Sequence, residues 1–436
     1  MIQALGLRLG LWGAGLAAAA RLVGLGFGAW RAGRLSEVLA QTHSQRLVFA
    51  ALRAFAPNLV LKRRFITAYE NTGTAIITRH ADVTEVLQRD ADFAVVYEPK
   101  MRLITAGENF FLGMQDSAEY TRDVSAMRLV VRREDVARYV IPIVAEEAAA
   151  ILARAKGDLD VAGDLTRRVP ARLVARYFGL PAGDEDRLIA WTTAMFWYLF
   201  VDLAGEEHIS RPALEAAAAC RIWLDDAIAA RHANPTDADD VLNRCLALQA
   251  AGVPGMDDTG VRNNLIGLLI GLVPTLSKAS ILTLEELLKR PEALADAQEA
   301  ARADDDARLA DILFEAFRFS PMNPVIYRRA TRDVVVARGT RRAVSIPAGR
   351  IVLAANLSAM FDPLALECPE EFRPGRPWEH YILWGYGMHA CFGGHINRAA
   401  IPQMLKPLLR RENLHAAAPP DNAGTPFPAH YPLNFT

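Results

Sequence analysis

A chain of 436 residues, 52% of them hydrophobic, has enough apolar material to bury a large core. Its formal net charge of −1 excludes a bulk electrostatic pull toward nucleic acid. The four cysteines, Cys220, Cys245, Cys368 and Cys391, are far apart and form no C-x-x-C pair, which excludes a local zinc knuckle and speaks against a disulfide framework. A reducing compartment, the cytoplasm, fits best.

From Ile2 to Trp30 the chain is apolar and rich in Gly and Ala, interrupted by Arg8 and Arg21 and closed by Arg31. The longest uncharged run, residues 9–20, is shorter than the roughly 20 residues that a membrane span requires. Residues 1–45 are therefore expected to form an interfacial helix or hairpin, lying on a membrane surface or on the protein's own domain. Residues 46–436 are expected to form a single domain.

The β-branched run at residues 75–78 follows Gly73 and predicts a short strand, and a helix is expected from near Asp82 through Val83, Val86 and Leu87. Residues 97–113, marked by Gly and Pro, read as loop. Residues 121–290 are largely helical in pattern, broken by polar turns such as residues 234–237. Residues 261–288 are apolar nearly all round from Leu265 to Leu276, as a buried central helix should be, with Asp257, Asp258 and Thr259 as capping residues. Residues 334–353 change to short β-rich runs, and a last helix begins near Gly394. The expected class is mainly α with small β-sheets.

The chemistry concentrates in residues 384–393, Trp-Gly-Tyr-Gly-Met-His-Ala-Cys-Phe-Gly. Gly385 and Gly387 let the backbone turn tightly and approach a flat cofactor, and Gly393 lets it bend after the sulfur. A cysteine just before a predicted helix is poised to be a thiolate. A second signal is Glu315-Ala-Phe-Arg318, on a helix whose apolar face is Leu309, Ile312, Leu313, Ala316 and Phe317. Glu315 and Arg318 stand one turn apart, which taken alone is most often a solvated surface pair.

Together these residues resemble the cytochrome P-450 family. Residues 384–393 match its cysteine loop, with Trp384 where the family usually has Phe, and Glu315, Arg318 and Arg376 match its Glu-x-x-Arg helix and the later arginine that joins it. Arg328 stands in its R-x-A-T stretch, residues 77–93 look like its early strand and second helix, and residues 346–363 resemble the strand pair and Asp-Pro turn that follow.

The resemblance implies the cytochrome P-450 fold, with haem b (iron protoporphyrin IX) between the long central helix and the cysteine loop. It makes Cys391 the axial ligand of the iron, and His389 and Arg328 contacts of the haem propionates. Trp384, Gly385, Gly387, Phe392 and Gly393 shape the loop, Glu315, Arg318 and Arg376 hold the core behind it, and Phe196, Phe200, Val325 and Ile326 line the substrate pocket. The implied reaction is insertion of oxygen from O2 into a hydrophobic small molecule. Electrons would come from a separate ferredoxin- or flavodoxin-type donor, since no reductase module follows Thr436.

Two departures bear on mechanism. Where the family's central helix carries Ala-Gly-x-acid-Thr, the best register here is Gly271-Leu-Val-Pro274-Thr275, so the alcohol is present and no carboxylate stands beside it. Pro274 cannot donate to the carbonyl of Ile270, so a kink is expected. Where many bacterial members have a propionate-binding His and Arg, this chain has Tyr120 and Val124, with Arg122 or Arg128 as substitutes. Arg128, Arg132 and Arg133 are equally a basic face for an acidic electron donor. The missing acid leaves open a peroxide-dependent peroxygenase or lipid-hydroperoxide enzyme, and a non-enzymatic haem sensor or binding protein. No cationic residue is expected to wait for a polar head group.

Overall fold

The computed structural model describes residues 2–31, 33, 38 and 41–436, with the side chains of residues 2–9 and 29 outside the description. The Arg8 side chain and most of the junction near residue 35 thus lie outside the description. The chain divides into two compact units, one of residues up to 96 with 314–391, the other of residues 97–313 with 392–436.

In the first unit the N-terminal segment forms one helix, α1 (Ile2–Arg31), rather than a hairpin. At 1.5 Å per residue it is about 45 Å long. By length and composition alone its Gly10–Gly28 stretch is apolar enough to cross a membrane. It packs on α2 (Thr42–Phe55) through Leu11, Gly15 and Ala18, where a Cβ on Gly15 would run into Ala54 and lie 3.2 Å from the Phe55 ring. Trp12, Leu16, Val23, Phe27 and Trp30 stay exposed.

Strands β1 (Asn58–Leu61) and β2 (Thr74–Ile77), helix α3 (His80–Gln88) and strand β3 (Phe93–Ala94) follow. The second unit then begins with α4 (Glu98–Ile104), where loop was expected. Pro99 suits a first helical turn, which has no use for its missing N–H, and Met101 and Ile104 bury themselves. Helices α5 (Ala118–Val130) and α6 (Ile141–Leu152), strand β4 (Asp158–Asp160), α7 (Arg168–Phe178), α8 (Glu185–Phe196), α9 (Glu207–Ala233) and α10 (Val241–Ala250) lead to the long helix α11 (Asp258–Leu288). Asp257 caps α11 by accepting from the Gly260 N–H at 2.7 Å. It packs against α8 and α9, and its middle is buried nearly all round, as its pattern predicts.

After α12 (Pro291–Arg302) and α13 (Asp306–Phe319) the chain returns to the first unit with β5 (Ile326–Ala330), β6 (Val334–Val336), β7 (Val344–Ile346), β8 (Ile351–Ala354) and the short α14 (Asn356–Ala359). The main sheet runs β1-β2-β8-β5-β3, with β2 and β8 parallel and the other pairs antiparallel. Helix α15 (Gly394–Leu409) and strands β9 (His415–Ala416) and β10 (Pro432–Asn434) close the second unit, where β10 pairs with both β4 and β9.

Within the first unit, Glu315 and Arg318 form no surface pair. Both are fully buried at the end of α13. The Arg318 guanidinium grips both carboxylate oxygens of Glu315, at 2.9 and 2.7 Å. Glu315 also accepts from Arg376 Nε (3.2 Å), the Tyr381 hydroxyl (3.0 Å) and the Arg373 backbone N–H (2.9 Å). Arg318 lies over the Phe361 ring at 4.4 Å and donates to the carbonyl of Met360. Burial alone would raise the Glu315 pKa, but Arg318 and its other donors bring it below the ordinary carboxylate value.

Removing one partner of such a cluster strands a buried charge, so Glu315→Gln should cost about 3–5 kcal/mol in denaturant unfolding and yield little haem-loaded protein. Because the folded Glu315 pKa is lowered, its contribution is present above the unfolded value and fades as pH falls through the folded one. The gap between wild type and Glu315→Gln should therefore narrow on acidification below about pH 4.5.

Candidate functional site

The cysteine loop is built by two glycines in the left-handed region, Gly385 at φ +86° and Gly387 at φ +74°. They fold the strand back so that the Cys391 N–H donates to the Trp384 carbonyl at 2.8 Å and the Ala390 N–H to Gly387 at 3.1 Å. Gly387 presses on the end of α3, where any Cβ would collide with the Leu87 carbonyl oxygen. Trp384 seats the loop, its ring 5.5 Å from both Phe314 and Trp378 and 6.4 Å from Phe317. Cys391 is left exposed at the end of this turn, whereas Cys220 and Cys245 are buried and their thiols pushed up to about 12. Cys368 is half-buried, so Cys391 is the most exposed of the four.

Two nitrogen donors share the same unit. Arg328, on β5 opposite Val352, is buried. His389 is held down to about 4, by burial first and then by the positive charge of Arg328. A buried guanidinium beside an imidazole kept neutral is a setting that favours an anion. A presented thiol with two donors for carboxylates is the set an iron protoporphyrin needs, so the residues present fit haem.

The second unit has its own apolar features. On α11, Gly271 is exposed although Ile270 and Leu272 on either side are buried, and a Cβ added to it would meet nothing within 4 Å. One turn on, the Thr275 hydroxyl donates to the carbonyls of Gly271 and, at 3.2 Å, Leu272. The helix stays continuous through Pro274. That hydroxyl satisfies a carbonyl beside the one Pro274 leaves without its N–H. One turn before, Gly267 admits the Phe110 ring so closely that a Cβ would come within 2.6 Å of it.

The aromatic run ending α8 continues as a π-helical turn, Trp197–Val201. It brings Phe196 and Phe200 together at 4.7 Å, with Tyr97 4.8 Å from Phe200 and Phe427 5.6 Å from Phe196. Phe392 meets Phe111 with ring centres 5.3 Å apart and the planes tilted by 50°. Val325 and Ile326, just before and at the start of β5, are half-buried and apolar. Arg122 is paired with Asp123 at 2.7 Å and lies against the turn at Gly255. Arg128 and Arg133 are exposed, Arg132 less so.

Tyr381, Tyr97, Phe110 and Phe427 were not singled out from the sequence. Tyr381 alone had a usable signal, since it lies three residues before Trp384. The others are brought in by folding across long sequence separations.

The cytochrome P450 family profile matches residues 208–423. The erythromycin C-12 hydroxylase of Saccharopolyspora erythraea is 28% identical over 346 residues, covering 76% of this chain and 80% of that protein. The mycinamicin IV hydroxylase/epoxidase of Micromonospora griseorubida is 26% identical over 354 residues, 77% of this chain and 81% of that one. Among solved structures, the open cytochrome P450 EryK from S. erythraea superposes with a TM-score of 0.74 at 22% identity, over 91% of this chain and 97% of that one, a likeness of fold.

The chain belongs to the cytochrome P450 family as a divergent, bacterial-type member. It is a haem-thiolate oxidoreductase of the monooxygenase type, its cofactor is haem b, its substrate is hydrophobic and its electrons come from a redox partner.

The loop geometry makes a direct prediction. Gly387→Ala combines an unfavourable φ with a collision against a backbone carbonyl and should cost about 1–3 kcal/mol. Gly393→Ala, at φ −85° with open space at its Cβ, should change thermal unfolding little. Differential scanning of the two variants beside wild type checks this.

Proposed function

We propose that Cys391 is the axial thiolate of the haem iron, and that Arg328 and His389 hold its propionates, with Arg122 as a further basic contact. The observation that carries this reading is the exposed cysteine at the end of a loop turned back by two left-handed glycines and seated on Trp384. When bound, thiolate-ligated haem supplies the means to activate dioxygen and oxidise an unactivated carbon.

The chain's own residues then have distinct tasks. Trp384, Gly385, Gly387, Phe392 and Gly393 fix where the sulfur points. Glu315, Arg318 and Arg376 hold the backbone behind it. Gly271 leaves room on α11 for small reactants, and the Thr275 hydroxyl is a proton-bearing group on the same helix face. Pro274 offers no carboxylate, so protons must reach Thr275 through water or another side chain. Phe196 and Phe200 offer the substrate an aromatic surface, and Val325 and Ile326 offer it an aliphatic one.

The substrate is a hydrophobic small molecule that is hydroxylated or epoxidised, as the names of both relatives say of those proteins. The donor is an acidic ferredoxin- or flavodoxin-type protein that docks on Arg128, Arg132 and Arg133. The enzyme works in the cytoplasm, with the exposed apolar face of α1 and its Arg21 and Arg31 resting on a membrane surface.

The test is turnover of a panel of terpenoids, fatty acids and macrolides by purified holoenzyme. It is run with NADPH, ferredoxin reductase and ferredoxin, and in parallel with hydrogen peroxide alone. Product carrying one added oxygen should form with the electron donor and at a rate peroxide does not match. Product with peroxide and none with any donor would overturn the oxygen-and-electron reading.

A further inference from the structure

Helix α11 carries a second polar group on the face that bears Gly271 and Thr275. Lys278 follows Thr275 by three residues, so positions 271, 275 and 278 fall within about 60° of one another around the helix axis, in successive turns. Lys278 is half-buried, and its Nζ lies 5.3 Å over the centre of the Phe427 ring. Phe427 leads on to Phe196, Phe200 and Tyr97 through the ring contacts described above, all within the second unit. A cation thus stands at one end of a continuous aromatic wall.

Two buried lysines of this unit, Lys100 and Lys406, show how this fold treats an ammonium group. Lys100 donates to the carbonyl of Tyr198 at 2.7 Å and pairs with Asp202 at 3.0 Å. Lys406 bridges Asp304 and Asp306 at 2.6 and 2.7 Å. Lys278 has no ion-pair or hydrogen-bond partner among the described residues, and one aromatic face is its directional contact.

A desolvated ammonium costs several kcal/mol, and a cation–π contact returns about 0.5–2 kcal/mol. The ring therefore does not balance the burial. Burial alone holds the ammonium down to about 8. Nor is this a side chain reaching out from a helix end, because Lys278 is ten residues from the last residue of α11. An unbalanced cation at the end of an apolar wall is the arrangement that recognises an anion on a hydrophobic molecule.

We propose that Lys278 is a specificity residue that receives the carboxylate of a hydrophobic acid, whose hydrocarbon body lies along Phe427, Phe196 and Phe200. The proposal rests on the monooxygenase reading above and narrows its substrate class to acids. It departs from the expectation that no cation waits for a polar head group. Position 278 gave no such signal because its ring partner is about 150 residues away in sequence.

Ligands whose binding does not depend on guessing the natural substrate test this. ω-(Imidazol-1-yl)alkanoic acids of six to twelve carbons, and the matching ω-imidazolyl alkanols, anchor to the haem iron through nitrogen, and the Soret shift reads their dissociation constants. In wild-type holoenzyme at least one acid should bind about tenfold or more tightly than its alcohol, the value of a hydrogen bond to a charged group. Lys278→Met should erase that preference while leaving alcohol affinity within about twofold, and Lys278→Arg should keep most of it. Equal affinity for acid and alcohol at every length in wild type, or an acid preference that survives in Lys278→Met, would overturn the proposal. If Lys278→Met fails to load haem, Lys278→Gln makes the same comparison. Failure of the haem reading itself would look different, since no probe of either series would then give a nitrogen-ligand shift.

Discussion

One buried carboxylate organises the half of the molecule that presents the sulfur. Glu315 has no exposure to water and is satisfied by two arginines, a tyrosine hydroxyl and a backbone N–H. A charge so placed is tolerable only if every donor arrives together, so the last turn of α13 and residues 373–381 must fold as one piece. The residues flanking it on the same turns, Phe314 and Phe317, seat Trp384. The same short stretch of helix therefore clamps the chain at Tyr381 and, three residues later, sets where the cysteine loop begins. The glycines do the rest, since only they permit the turn at positive φ with Gly387 against the Leu87 carbonyl.

Much of this was legible in the sequence, because its local signals and its fold agree. The apolar run and acidic cap of α11, the β-rich stretch before the cysteine loop and the glycine spacing each specify local geometry, and the structure has each of them. The burial of Glu315 and Arg318 was not readable from an i, i+3 pair, which looks the same on a wet surface as in a core. The family resemblance, by joining Arg376 to the pair, points to the core, and the structure adds Tyr381 from the same later segment. Helix α4 reads as loop in the sequence because Pro and Gly punctuate its neighbourhood. There Pro99 in fact begins a helix, and burial of Met101 and Ile104 decides the outcome. Helix α11 runs on through Pro274 although that residue offers no N–H to the Ile270 carbonyl, and the Thr275 hydroxyl bonds the carbonyls of Gly271 and Leu272 beside it.

The face of α11 shows how a relative of well-populated families acquires its own character. Without a carboxylate beside Thr275, the helix is apolar from Leu265 up to that alcohol, and the next polar group on the same side is Lys278. Gly267 and Gly271 behave differently although both lie on this face. The first is filled by the Phe110 ring and the second is open, so shape on the helix is set by where a partner ring inserts. Between Leu265 and Lys278, polar chemistry on this face consists of a hydroxyl and an ammonium, one turn apart, beside a wall of aromatic rings.

The central claim, that Cys391 ligates the iron, is tested most directly by the ferrous carbon-monoxide spectrum of Cys391→Ser beside wild type, with haem content measured in both. Wild type should show the red-shifted Soret band that thiolate ligation confers, and the variant should lose it even where haem is retained. An unchanged band in Cys391→Ser would contradict the assignment and move the ligand to another residue.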